Sequence, residues 1–161
     1  ASVFYALDRY AASFNMKTHL ASGGLIISNR YVSANKGHQL GKIKDEQERE
    51  SYLAWLDELE YKTFGIPKED VNVLLYVPPQ IGKQLVDKKE TREYTDKKRD
   101  VHEADLEHLQ EAAEAYRYVA KKEGWLIIDC VKDGELLSIE DIHQLLYDRL
   151  KPYFSKALSK E

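Results

Sequence analysis

The chain has 161 residues, 43% of them apolar, with eight glycines and four prolines, enough apolar material for the core of one globular domain. Its 24 basic and 28 acidic side chains leave a net charge of -4, which excludes broad attraction to a nucleic acid backbone but not a small anion held by a few local cations. The longest apolar runs, such as residues 73–77, fall far short of the roughly 20 residues of a membrane span. The single cysteine, Cys130, has no partner for an internal disulfide, which agrees with a reducing cytoplasmic setting and predicts a packing role at a strand end.

Residues 3–20 carry a helical pattern, and Tyr5 and Arg9, four apart, project from one of its faces. That sets a ring able to stack beside a fork able to hydrogen-bond a base. Gly23-Gly24 break the pattern, and the apolar residues 25–28 predict a strand. A polar segment rich in planar side chains follows, from Ser28 through Asn29, Arg30, Asn35 and His38 to Gln39. An arginine placed where a buried strand ends suits a phosphate, because a guanidinium grips two phosphate oxygens at once; nucleotide binding is the leading reading. With Ser33 as N-cap, a helix beginning there puts Asn35, His38 and Gln39 on one face.

Residues 45–62 read as a helix, with Tyr52, Leu53, Leu56 and Leu59 at helical spacing before Gly65 and Pro67 stop it. Residues 71–77 predict a strand halted by Pro78-Pro79. Residues 87–100 are almost wholly charged and polar and predict a solvated loop. Asp100 and Glu103, three apart, make a capping box for a helix over 103–122, whose stripe is Leu106, Leu109, Ala113, Tyr116 and Ala120. Gly124 precedes a strand over 125–130, and Ser138-Ile139-Glu140-Asp141 caps a last helix with Ile142, Leu145, Leu146 and Leu150 facing inward. The strands lack strict alternation and are separated by long helices, so the fold class is α/β: a three-layer parallel sheet flanked by helices.

Each candidate also has a structural role open to it. Arg30 suits a surface ion pair, Tyr5 a core position, and Arg9 and His38 a helix surface. His19, His102, His108 and His143 show no metal-ligand spacing, and no residue is assigned to a metal. The nearest approach to a phosphate loop, Gly37-His38-Gln39-Leu40-Gly41-Lys42-Ile43, is one residue short and ends without a hydroxyl for magnesium, so it is rejected.

Several strings in order, Phe4-Tyr5-Ala6-Leu7-Asp8-Arg9, Asn29-Arg30-Tyr31-Val32-Ser33-Ala34-Asn35, Trp55-Leu56-Asp57-Glu58-Leu59-Glu60-Tyr61, Val77-Pro78-Pro79 and Lys98-Arg99-Asp100-Val101-His102-Glu103, resemble the thymidylate kinases. The resemblance implies a P-loop nucleotide kinase architecture that transfers the γ-phosphate of ATP to dTMP with Mg2+. It implies that Tyr5 stacks on thymine, that Arg9, Asn35 and Gln39 line the substrate, and that Arg30 holds its 5′-phosphate. His38 stands where the family often has a ring beside the deoxyribose; Asp100 and Glu103 belong to the substrate site, with Glu103 near the sugar or the metal. Residues 87–100 become a lid over ATP, with Arg92, Lys97, Lys98 and Arg99 on the cofactor and Arg92 and Arg99 joining Arg30 in catalysis. Asn29 replaces the usual aspartate, and Tyr5 a commoner phenylalanine.

The chain starts at Ala1, its one methionine is Met16, and it carries no glycine loop, so it is expected to be a fragment lacking an N-terminal P-loop strand and inactive alone. A gap, or an adventitious pairing, is then expected between strands 25–28 and 71–77. A homodimer through the early helices is implied as well. Two other readings stay open, another nucleoside or nucleotide kinase and a non-catalytic protein-interaction module.

Overall fold

The computed structural model describes the backbone of residues 2–90 and 99–158 and the side chains of residues 2–85 and 106–154. In chain order the elements are α1 (Ser2–Ala21), α2 (Val32–Leu40), α3 (Glu46–Asp57), β1 (Val73–Tyr76), α4 (Pro79–Glu90), α5 (Arg99–Glu123), β2 (Leu126–Asp129), β3 (Val131–Lys132), β4 (Glu135–Leu136) and α6 (Ile139–Leu158). None of these helices is long and apolar enough to cross a membrane.

Local chemistry accounts for several boundaries. The Asp45 carboxylate accepts the Glu48 backbone N–H at 2.8 Å and so starts α3. α3 does not stop at Asp57 but widens into a π-helical turn, Glu58–Thr63, in which Phe64 N donates to Leu59 O at 2.9 Å. The Ser138 hydroxyl accepts the Asp141 N–H at 3.0 Å at the start of α6, the cap that the sequence announces. Between β3 and β4 the turn residues Asp133 and Gly134 have φ of 53° and 84°, the two left-handed residues of a tight hairpin.

The core gathers where α2, α3 and α5 meet, around Leu40, Leu53, Ala115, Val119, Ala120 and Trp125. A second cluster, Tyr31, Val32, Leu56 and Ile66, lies under the start of α2. Fully burying a side chain such as Leu40 or Leu56 contributes about 1.5–3 kcal/mol. α2 comes so close to α5 that a Cβ on Gly37 would stand 2.4 Å from the Tyr116 ring. β1 and β2 pair in parallel, Val73 with Leu126 through Tyr76 with Asp129. Cys130 is buried just past β2, in the packing role expected of it, and burial pushes its thiol up.

Several sequence expectations need correction. Residues 25–28 form no strand: among the described residues no neighbour pairs with them, Ile27 is 84% exposed, and a strand without a partner has no ladder to hold it. The sheet is accordingly not three-layered among the described residues; it is a two-stranded parallel pair and, separately, the antiparallel β3–β4 hairpin. The helix after Arg30 begins at Val32, so Ser33 sits in its first turn and does not cap it. The segment 87–100 is not a loop throughout, since α4 runs to Glu90 and α5 starts at Arg99; that start also puts Asp100 inside the helix instead of at its cap. In α6, Ile142, Leu146 and Leu150 are partly covered, whereas Leu145 is 44% exposed.

Candidate functional site

Two groups of polar side chains converge on α2. In the first, Arg9 on α1 reaches Glu60 in the π-helical turn. Arg9 Nε donates to Glu60 Oε2 at 2.6 Å and Nη2 donates to Oε1, a two-point ion pair. Glu60 is fully buried, and its charge is tolerated there because the guanidinium faces it. Asn35 on α2 joins them: its Nδ2 donates to Ser2 O at 3.1 Å and to Glu60 Oε1 at 3.4 Å. Tyr52 supports this corner, its hydroxyl 3.0 Å from Ser2 Oγ and donating to Asn35 O at 3.4 Å. Tyr5 lies one turn before Arg9 on α1, is 58% exposed and has no ring or hydrogen-bond partner among the described residues.

The second group starts at Arg30, whose φ of 69° is a left-handed conformation that few non-glycine residues adopt. The Ser28 hydroxyl donates to Arg30 O at 2.8 Å, and the next side chain, Tyr31, is buried and donates to Pro67 O at 3.0 Å. Burial foremost, then Glu69 and Glu60, pushes the Tyr31 hydroxyl up to about 12. Held on both sides, the exposed Arg30 guanidinium turns to α2 and its Nη2 donates to His38 Nε2 at 3.0 Å. A guanidinium only donates, so His38 is neutral with its proton on Nδ1. Burial first, then Arg30, His108 and Lys42, keeps the imidazole below its ordinary value of 6.5. Its ring stands edge-on to Tyr116 at 5.3 Å.

Of the residues singled out in the sequence, then, Arg9 and Asn35 meet on Glu60, and Arg30 meets His38. Gln39 joins neither group; its Oε1 accepts from Lys42 Nζ at 3.5 Å. Arg99, Asp100 and Glu103 lie on the first turns of α5, with only their backbone described. Arg92, Lys97 and Lys98 lie outside the described residues.

Sequence reading missed two buried charges. Glu60 follows Leu53 and Leu56 on an inward stripe, and Lys36 falls between Val32 and Leu40 on another. A charge at an apolar stripe position demands a counter-charge, and that was the available signal. Lys36 Nζ lies 2.6 Å from Glu123 Oε1 and 2.8 Å from Asp57 Oδ1, while Trp125 Nε1 donates to Glu123 Oε2 at 3.0 Å. Burial opposes the ammonium charge, but the two carboxylates outweigh it and leave the lysine above its ordinary value.

The donor side is different. Gly37 is pressed against the Tyr116 ring, and a Cβ on Gly41 would stand 3.2 Å from Glu111 O, so these glycines serve helix packing and cannot cradle phosphates. Among the described residues no group of three His, Cys, Asp or Glu side chains is placed to hold a metal ion.

The parallel β1–β2 pair with its flanking helices, beside the corner that gathers Arg9, Asn35 and Arg30 around α2, is consistent with a partial nucleotide kinase fold. Two curated relatives agree with this. The chain is 26% identical over 124 residues to the thymidylate kinase of Mycobacterium tuberculosis strain CDC 1551 / Oshkosh and, equally, to that of strain ATCC 25618 / H37Rv, matching 77% of this chain and 56% of each relative. The chain thus spans about half the length of the curated relatives it matches. No family model matches it.

Proposed function

We propose that this chain is the acceptor-binding portion of a thymidylate kinase, the whole protein transferring the γ-phosphate of ATP to dTMP with Mg2+ in the cytoplasm. The observation that carries the reading is the convergence of Arg9 and Asn35 on one buried carboxylate, one helical turn from the open ring of Tyr5. Tyr5 offers a face for the pyrimidine, and Arg9 and Asn35 offer polar groups for its edge. Arg30 takes the 5′-phosphate by exchanging its bond to neutral His38 for two charge-assisted bonds to phosphate oxygens. Catalysis in this reaction class is chiefly positioning and charge neutralisation, which is the work these side chains are built for. Arg92, Lys97, Lys98 and Arg99 remain the proposed cations on the ATP side, with Asp100 on the substrate and Glu103 near the sugar or the metal. The exposed apolar row Val3, Phe4, Leu7 and Phe14 on α1 supports a homodimer through that helix.

Calorimetric titration of the 161-residue chain with dTMP tests this proposal. Saturable binding that Arg30→Ala weakens by roughly ten- to a hundredfold is expected, the value of a lost charge-assisted contact. No binding, or binding that Arg30→Ala leaves unchanged, rejects it.

A further inference from the structure

We infer that Glu60 is a positioning residue that sets the hydrogen-bonding polarity of the base-reading corner, so that the corner accepts thymine or uracil and rejects cytosine. The inference rests on the proposed acceptor reading and deepens it. Glu60 touches no ligand surface itself, being fully buried in the π-helical turn, the kind of local widening that recurs at functional sites.

Its two oxygens consume particular donors. Arg9 spends Nε and one N–H of Nη2 on the carboxylate, which leaves the Nη1 protons as donors for a ligand. The Asn35 amide is oriented by its partners: Nδ2 faces two acceptors, Ser2 O and Glu60 Oε1, so the nitrogen must sit there. Asn35 Oδ1 has no partner among the described residues and is left as an acceptor. Because Arg9 Nη2 and Asn35 Nδ2 share Oε1, the guanidinium and the amide lie side by side, and together they present a donor next to an acceptor. The O4 and N3–H of thymine or uracil match that order. The N4 amino group and bare N3 of cytosine oppose it at both positions, so two polar groups would be stranded on each side.

The test compares three probes by calorimetry: thymidine 5′-monophosphate, deoxycytidine 5′-monophosphate and base-free deoxyribose 5-phosphate. The unmodified chain should prefer the thymine nucleotide by about tenfold to a hundredfold. In Glu60→Gln one oxygen becomes a donor facing Arg9 or Asn35; the preference should collapse to within about threefold while the base-free probe binds as before. Glu60→Asp keeps the buried charge and withdraws the oxygens by one methylene, so it gives a partial loss should the glutamine variant fail to fold. Both variants keeping the full preference, or losing all three probes in parallel, overturns the role assigned to Glu60 while leaving the acceptor reading intact. An unmodified chain that binds none of the three overturns both.

Discussion

Arg30 combines a strained backbone with an exposed, cationic side chain, and the two argue for a ligand together. A left-handed conformation in a non-glycine residue costs roughly 1–2 kcal/mol, which Ser28 and the buried Tyr31 are placed to hold in check. Arg30→Gly should therefore melt higher than Arg30→Ala by about 1 kcal/mol of stability in thermal denaturation, and both should lose dTMP binding alike. His38 reports on the same corner through pH. Its folded value lies below 6.5, so below that pH the unfolded chain takes up the proton more readily than the folded one. Stability should fall as pH drops through and below 6.5, and His38→Gln should flatten that dependence; equal slopes for both proteins would show that another group is responsible. Lys36 is the second buried charge. Lys36→Met leaves the partly solvated Asp57 and Glu123 without their counter-ion and should cost about 1–3 kcal/mol, read from urea denaturation.

Helices were the legible elements because each carries its own apolar stripe and often its own cap. Asp45 starts α3 and Ser138 starts α6, both as residue type and spacing suggest. Residues 25–28 show the opposite case. Their apolar run is strand-like, but a strand exists only where a neighbour supplies hydrogen bonds, and local pattern carries no information about that neighbour. The β3–β4 hairpin has two residues per strand, too few for a period, although Asp133-Gly134 marks its turn. The site divides along the same line. Tyr5, Arg9, Arg30 and Asn35 could be picked out as residue types, whereas the partner of Arg9 is 51 residues away and only the fold brings it there. The close α2–α5 contact is likewise a tertiary fact. Gly37→Ala drives a methyl group into the Tyr116 ring and should destabilise the chain by about 1–3 kcal/mol; an unchanged melting temperature would mean that α2 shifts freely on α5.

Over the whole molecule, the described residues gather Arg9, Asn35 and Arg30 around α2 and show no phosphate cradle, in a chain whose match covers 56% of each kinase it resembles. The purified 161 residues should bind dTMP yet form no dTDP from it and ATP. Leu75 on β1 is exposed, as are Leu25 and Ile27 in the stretch between α1 and α2. The most direct measurement is a crystal structure of the chain with thymidine 5′-monophosphate bound. The expected complex has the pyrimidine flat on Tyr5, its O4 and N3 against Arg9 and Asn35, and the phosphate within hydrogen-bonding distance of Arg30 in place of His38. A nucleotide bound elsewhere, or seated here with its phosphate turned away from Arg30, would contradict the account.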